Sequence, residues 1–220
     1  MGTINFTGTG GVWEGSVGAA NVVINQDPVY GHWDFPTNPS DGNRFNSTDT
    51  ALDDMWAGVG GCAAAWIYPK SVGGGSNGFI LNKDRWRLYY GSLVDGYMLM
   101  WFRVESDGSP NNQEWATTTR VLPLNTWSHV AIVYDSDLPS NNPVIYLNGV
   151  AQTLSDPADF GGSYLSDATV DLWVGNRQNG NNCFDGYMMD VKMYKAVAVT
   201  QPQVAAMAKK INVDKDDLDL

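Results

Sequence analysis

The chain has 220 residues, 43% of them hydrophobic and 12% aromatic, with a formal net charge of −11. That length holds one large all-β sandwich or two small domains, with apolar residues enough for a sizeable core. The acidity excludes nonspecific binding to nucleic acid or anionic membrane, and no apolar run is long enough to cross a bilayer as a helix. The acid is lopsided, with twenty-one Asp against three Glu. Asp favours turns and oxygen-rich sites, whereas Glu favours helices. Twenty-four Gly and ten Pro, spread along the chain, point the same way, to strands and turns.

In chain order, residues 1–25 are rich in Gly, Asn and Val and predict an N-terminal arm or edge strand, with strand character at Val22–Asn25. Met1-Gly2-Thr3-Ile4-Asn5-Phe6 has neither a basic n-region nor an apolar h-region. The expectation is either synthesis in a cytosol, with incorporation in a virion or later release as open routes, or a leader that has been lost. Gly2 is no myristoylation signal, because Phe6 stands where that motif wants Ser or Thr.

Strands are predicted at Tyr30–Phe35, Arg44–Ser47 and Gly61–Tyr68, with a corner at Leu52–Trp56. Gly78–Asn82, Trp86–Tyr90, Tyr97–Glu105 and Glu114–Leu122 follow, separated by short turns. In Tyr97–Val104 the alternation puts Met98, Met100, Phe102 and Val104 on an oily face and Tyr97, Leu99, Trp101 and Arg103 on the other.

Asn125–Gly149 carries the clearest pattern. His129, Ala131 and Val133 alternate with Val130, Ile132 and Tyr134. The connector Ser136–Pro143 holds two Pro, two Ser and two Asn, which is turn chemistry. Val144–Leu147 returns, and Asn148-Gly149 is a tight-turn dipeptide. Val170–Gly175 and Gly186–Tyr194 complete the strands. Thr200 caps a short helix with Pro202 in its first turn, and Val204, Met207, Ala208 and Ile211 recur on one face. Residues 212–220 are a solvated acidic tail, since Asp214, Asp216 and Asp217 lack the glycine of an EF-hand loop.

A Trp-x-His-Val-Ala strand followed by Tyr-Leu-Asn-Gly resembles the laminin G-like domains of the concanavalin A-like lectin/glucanase superfamily. Ala51–Ser71, Gly78–Lys83 and Phe184–Met207 resemble further parts of that family, in the family's order. The resemblance implies an all-β, two-sheet antiparallel jelly-roll sandwich with a short C-terminal helix, spanning residues 26–211. It says less about activity, because this sandwich carries lectins, hydrolases, lyases and adhesion modules.

Glucanases of this fold use Glu-x-Asp-x-Glu on one strand, so that alternate carboxylates point into one face. This chain has no such triplet; Glu14, Glu105 and Glu114 stand apart, and Asp53-Asp54 and Asp135-x-Asp137 suit turns better than catalysis. The expectation is therefore not an enzyme. His129 suits packing and a sheet hydrogen bond, while Trp66 and Trp127 suit the core. Cys62 and Cys183, 121 positions apart, fit no zinc spacing; a disulfide stays open if their strands meet.

The family resemblance also implies one structural calcium, held by Asp190 in the last strand with carbonyls near Gly42 and Asn43. Val191, Met193 and Met189 alternate with Asp190, which places Asp190 away from the apolar set. Where relatives have two acids in a row, this chain has Met189-Asp190. The candidate ligand-binding residues are Arg87, Tyr89, Trp101 and Arg103. On neighbouring strands they share one exposed sheet face, where aromatic rings stack on sugars and guanidiniums bond hydroxyls or carboxylates. The expected partner is a glycan or a protein surface, with homo-oligomer or assembly contacts open, and no nucleic acid or membrane. The function expected first is a non-catalytic lectin-like recognition module. A structural, adhesion or decoration protein of a phage particle or other assembly comes second, and a carbohydrate-active enzyme third.

Overall fold

The structure, a computed structural model, describes residues 2–8, 11–18, 21–24, 33–35, 45–48, 50–155, 161–177 and 180–209. Its strands are β1 (Gly2–Gly8), β2 (Gly11–Gly18), β3 (Asn21–Ile24), β4 (Trp33–Phe35), β5 (Phe45–Ser47), β6 (Gly61–Pro69), β7 (Asn77–Asn82) and β8 (Trp86–Val94). They continue as β9 (Tyr97–Glu105), β10 (Asn112–Ala116), β11 (Leu122–Pro123), β12 (Ser128–Tyr134), β13 (Val144–Leu147), β14 (Val150–Ala151), β15 (Leu172–Val174) and β16 (Gly186–Lys195). The α-helix α1 (Gln201–Lys209) ends the described residues.

The strands form an antiparallel two-layer sandwich. One layer runs β10-β9-β8-β7-β15-β5, with β11 added beside β9. The other runs β16-β6-β12-β13-β14, and both β3 and β4 pair with the remaining edge of β16. The N-terminal strands join the layers: β1 pairs with β5 and β2, and β2 pairs with β3.

Period-two alternation decides what lies between the layers. Met98, Met100, Phe102 and Val104 of β9 and Trp86, Leu88 and Tyr90 of β8 point inward, fully buried. They meet Ala63, Ala65 and Ile67 of β6, Val130, Ile132 and Tyr134 of β12, and Met188, Val191 and Met193 of β16. Trp56 sits at the centre. Its ring stands edge-on to Trp86 at 5.1 Å and to Phe102 at 5.2 Å. Burying each such side chain contributes about 1.5–3 kcal/mol. Tyr90 lies across Gly78 on the adjacent strand, where a Cβ would fall 2.2 Å from its ring. Asn148 (φ 50°) and Gly149 (φ 78°) turn β13 into β14, the left-handed pair a tight hairpin demands. The Asn148 side-chain oxygen accepts the His129 N–H at 2.8 Å, pinning this turn to β12.

Several expectations change. Trp66 and Trp127 are not core; they are half-buried, and Trp66 shares the outer face of β6 with Tyr68 and Ala64. The inward positions of β6 belong to Ala63, Ala65 and Ile67. The Trp127 ring packs on Tyr68 at 5.7 Å and on Tyr187 at 6.4 Å. The strand expected over Glu114–Leu122 breaks at Thr117, leaving β10 and the two-residue β11. The inward methionine of β16 is Met188, not Met189, because a β-bulge between Met189 and Lys192 shifts the alternation by one. Asp190 is the bulged residue, with φ 52°.

The helix is capped as its sequence predicts. The Thr200 N–H donates to the Gln203 side-chain oxygen at 2.8 Å, half of a capping box. Val204 is fully buried against Ala64, Ala131 and Tyr146, so α1 covers the outer face of the β6 sheet. Cys62 and Cys183 are both buried and both free thiols. Burial pushes the Cys62 thiol up to about 12.

Asp53 and Asp54, expected in a solvated turn, instead enter a buried network. The Lys83 ammonium, 1% exposed, donates to Asp53 Oδ1 at 2.6 Å and to Asp167 Oδ1 and the Asp167 carbonyl at 2.8 Å each. Trp86 Nε1 and the Tyr164 hydroxyl donate to Asp167 Oδ2 at 2.9 and 3.0 Å. Asp54 and Asp167 each accept the other's backbone N–H. The network ties the corner before β6 to the loop before β15.

Candidate functional site

Outward positions of the β7–β10 layer form a surface set by register. Arg87 of β8 pairs across with Arg103 of β9, and Tyr89 with Trp101. Glu114 of β10 opposes Arg103, and Ala116 opposes Trp101. On the other flank, Phe79 of β7 opposes Tyr89 and Asn82 opposes Arg87. Trp173 of β15 opposes Asn82 and continues that row toward Asn46. The four residues singled out from the sequence, Arg87, Tyr89, Trp101 and Arg103, are thus contiguous on one face.

Their exposures differ from expectation. Tyr89 is buried, at 8%, because its ring is enclosed by neighbours on three strands. It stacks on Trp101 with centroids 5.4 Å apart and planes 8° from parallel, and packs on Phe79 at 5.2 Å. Its hydroxyl donates to Glu114 Oε2 across β9. Burial, then the Glu114 bond, raises its pKa above the usual phenol value. Tyr89 is a support, and the half-buried Trp101 is the ring that meets solvent. Beyond Trp101 the cross-strand neighbour is only the Ala116 methyl, so no large side chain opposes that ring from β10.

The cationic part is larger than the sequence suggested. Arg85 and Arg87 donate to the two oxygens of Glu105, at 3.2 and 2.9 Å, and Arg103 lies 3.7 Å from the same carboxylate. Arg177, in the loop after β15, holds its guanidinium carbon 5.9 Å from the Phe79 ring centre. Four of the six arginines of a chain with net charge −11 therefore gather on one face. Like charges directly opposite cost a few tenths of a kcal/mol or more. Desolvation, then the Arg103 charge, lowers its pKa from the usual guanidinium value. Among the described residues, the buried Nε groups of Arg87, Arg103 and Arg177 have no hydrogen-bond partner. At the β15 end, Asn82, Asp84, Thr169, Val170, Asp171 and Trp173 line a pocket of ≈ 180 Å³. Arg87 also donates to the Asp84 carbonyl at the pocket's rim.

Sequence reasoning missed Phe79, Glu105, Glu114, Asn82, Trp173 and Arg177 as members of this face. Alternation from Arg103 already implies Glu105. Phe79, Asn82, Glu114 and Trp173 come from neighbouring strands and Arg177 from the loop after β15, and a bulge between Phe79 and Leu81 hides Phe79 from a simple count.

Asp190 is half-buried, and its carboxylate accepts the Lys192 ammonium. Gly42 and Asn43, its expected calcium partners, lie outside the described residues. Among the described residues no group of three His, Cys, Asp or Glu is placed to hold a metal. With one carboxylate already neutralised by a lysine and Met189 beside it, the described donors do not by themselves make a calcium site. No helix among the described residues is long and apolar enough to cross a membrane.

A laminin G-type family profile, described as the concanavalin A-like lectin/glucanases superfamily, matches residues 39–205. The binding domain of botulinum neurotoxin serotype G superposes with a TM-score of 0.58 over 93% of this chain and 50% of that one, at 12% identity. The binding domain of botulinum neurotoxin DC, in complex with rat synaptotagmin II, gives 0.59 over 93% and 50%, at 10% identity. The CBM40 of the Ruminococcus gnavus IT-sialidase, bound to α2,3-sialyllactose, gives 0.49 over 67% and 82%, at 15% identity. This chain spans half the length of the two toxin domains. At such identities the likeness is one of fold.

Proposed function

Because the chain belongs to the concanavalin A-like lectin/glucanase superfamily, with a laminin G-type domain over residues 39–205, we propose that it is a non-catalytic recognition module that binds carbohydrate. The binding surface is the outer face of the β7–β10 layer. The observation that carries this reading is the parallel Tyr89–Trp101 stack flanked by Arg87 and Arg103. A half-buried ring held rigid from behind is suited to the CH face of a pyranose, and guanidinium forks suit its oxygens. The two glutamates of the face hold the arginines and Tyr89 in place, a positioning role. The test is a glycan array, followed by calorimetry on the best ligand with wild type and Trp101→Ala. Binding weakened tenfold or more by the substitution supports the reading; no glycan bound at millimolar concentration overturns it.

A structural calcium at Asp190 is a second, separate proposal, resting on the family resemblance. An ion there has to displace Lys192 from Asp190 and recruit further oxygens. A higher melting temperature in calcium than in EDTA supports it, and identical melting ends it.

A further inference from the structure

Resting on the carbohydrate reading of the same face, we infer that the ligand is an acidic sugar: a glycan whose recognised residue carries a carboxylate, docked on Arg103 and Arg87 beside Trp101. Three guanidiniums, of Arg85, Arg87 and Arg103, meet two carboxylates there, Glu105 and Glu114, so the five groups sum to +1 in a chain whose total is −11. Glu105 alone is shared by Arg85, Arg87 and Arg103. Of the three, Arg103 reaches Glu105 only at 3.7 Å, beyond hydrogen-bond distance, while 29% of its side chain stays exposed. A ligand carboxylate supplies what is missing: negative charge between two opposed cations, and two acceptor oxygens in the plane a guanidinium prefers.

The rest of the surface says what else the ligand carries. From Arg103 to Trp173 is three strand steps, about 15 Å at the usual sheet spacing. The far end is the pocket lined by Asn82, Asp84 and Asp171. Acceptor oxygens there suit sugar hydroxyls, and the two aspartates oppose a second anion. One carboxylate at one end and neutral hydroxyls along the remainder describe an acidic oligosaccharide. They do not describe a polyacidic peptide or a densely sulfated chain, whose charges continue into Asp84 and Asp171. Trp101, with no large β10 side chain opposing its ring, stands between the carboxylate position and the open sheet.

The experiment is titration calorimetry on the whole protein with four probes: α2,3-sialyllactose, trigalacturonate, the neutral parent lactose, and a poly-glutamate decamer. At least one acidic sugar should bind tenfold or more tighter than lactose. Arg103→Ala should erase that advantage with an unchanged melting temperature, and Arg103→Lys should recover part of it. Raising sodium chloride from 0.05 to 0.5 M should weaken the acidic sugar and leave lactose unchanged. Equal affinity for lactose and both acidic sugars overturns the charge inference while leaving the carbohydrate reading intact. Poly-glutamate binding as tightly as the acidic sugars overturns it in favour of a protein surface. Silence from every probe, with no hit on a glycan array, overturns both.

Discussion

Two ionic clusters in this molecule use the same chemistry to opposite ends. Around Lys83 a single ammonium meets Asp53, Asp167 and a carbonyl, and Trp86 and Tyr164 satisfy the other Asp167 oxygen. Lys83 makes three hydrogen bonds, both Asp167 oxygens accept, and Lys83 and Asp167 are sealed from water. Around Glu105, three arginines compete for one carboxylate, like charges oppose across strands, and buried Nε donors go unanswered. A saturated cluster holds loops together. An unsaturated one on a half-open face is where the proposed ligand would complete the charge. Saturation, more than charge count, separates an ionic framework from an ionic binding site.

The largest effect should come from breaking the saturated cluster. Lys83→Met leaves the buried Asp167 carboxylate without its counter-ion, and removing one partner of a buried pair costs about 3–5 kcal/mol. Urea denaturation should show the loss; a change below 1 kcal/mol would mean that Asp167 is satisfied by its neutral partners alone.

Next in size is acid. His129 is buried and lies near Lys192, and burial first, then that charge, lowers its pKa from 6.5 to about 4. Between these values the unfolded chain binds a proton that the folded chain refuses. Stability is therefore intact above pH 6.5 and falls as the pH drops toward 4, by on the order of 3 kcal/mol. Denaturation series at pH 7 and pH 4.5 should differ, and His129→Gln should flatten that part of the difference. The slope belongs to the framework, so ligand affinity should not follow His129.

The unsaturated cluster should give the smallest stability changes. Arg103→Ala and Glu105→Gln each remove half-exposed ion pairs, worth about 0–1 kcal/mol. Both should melt close to wild type, and Arg103→Ala should still lose ligand. A melting temperature that falls as far as in Lys83→Met would place Arg103 in the framework and erase the distinction between the clusters. The least perturbing measurement is thiol labelling. Cys62 and Cys183, buried at 0% and 1% exposure, should react with a maleimide only after denaturation; fast labelling of the native protein would contradict their burial.

Much of the sandwich was legible in the sequence because period-two alternation and turn residues are local properties. Tyr97–Glu105, Val144–Leu147 and the Asn148-Gly149 turn stand where their residues predict them. The inward sets of β8, β9 and β12 follow from alternation alone. Trp66 and Trp127 misled because large aromatic residues suggest a core, whereas Trp66 falls on the outer face of β6, opposite Ala63, Ala65 and Ile67, and Trp127 packs on Tyr68 and Tyr187. Asp53-Asp54 misled because their partners Lys83 and Asp167 are 30 and 113 positions away or more, beyond any local pattern.

The amino-acid sequence by itself determined the faces of β8, β9 and β12, the capped helix, the family and the adjacency of Arg87, Tyr89, Trp101 and Arg103, since all of these follow from short-range spacing or a neighbouring hairpin. Only the tertiary structure decided which charges are answered. Register brings Arg87 against Arg103, carries Tyr89 to Glu114, adds Arg177 from a distant loop, and lets a bulge turn Asp190 toward Lys192. The physical reason is that hydrogen bonds and Coulomb forces act over a few ångströms in space, wherever along the chain their partners lie.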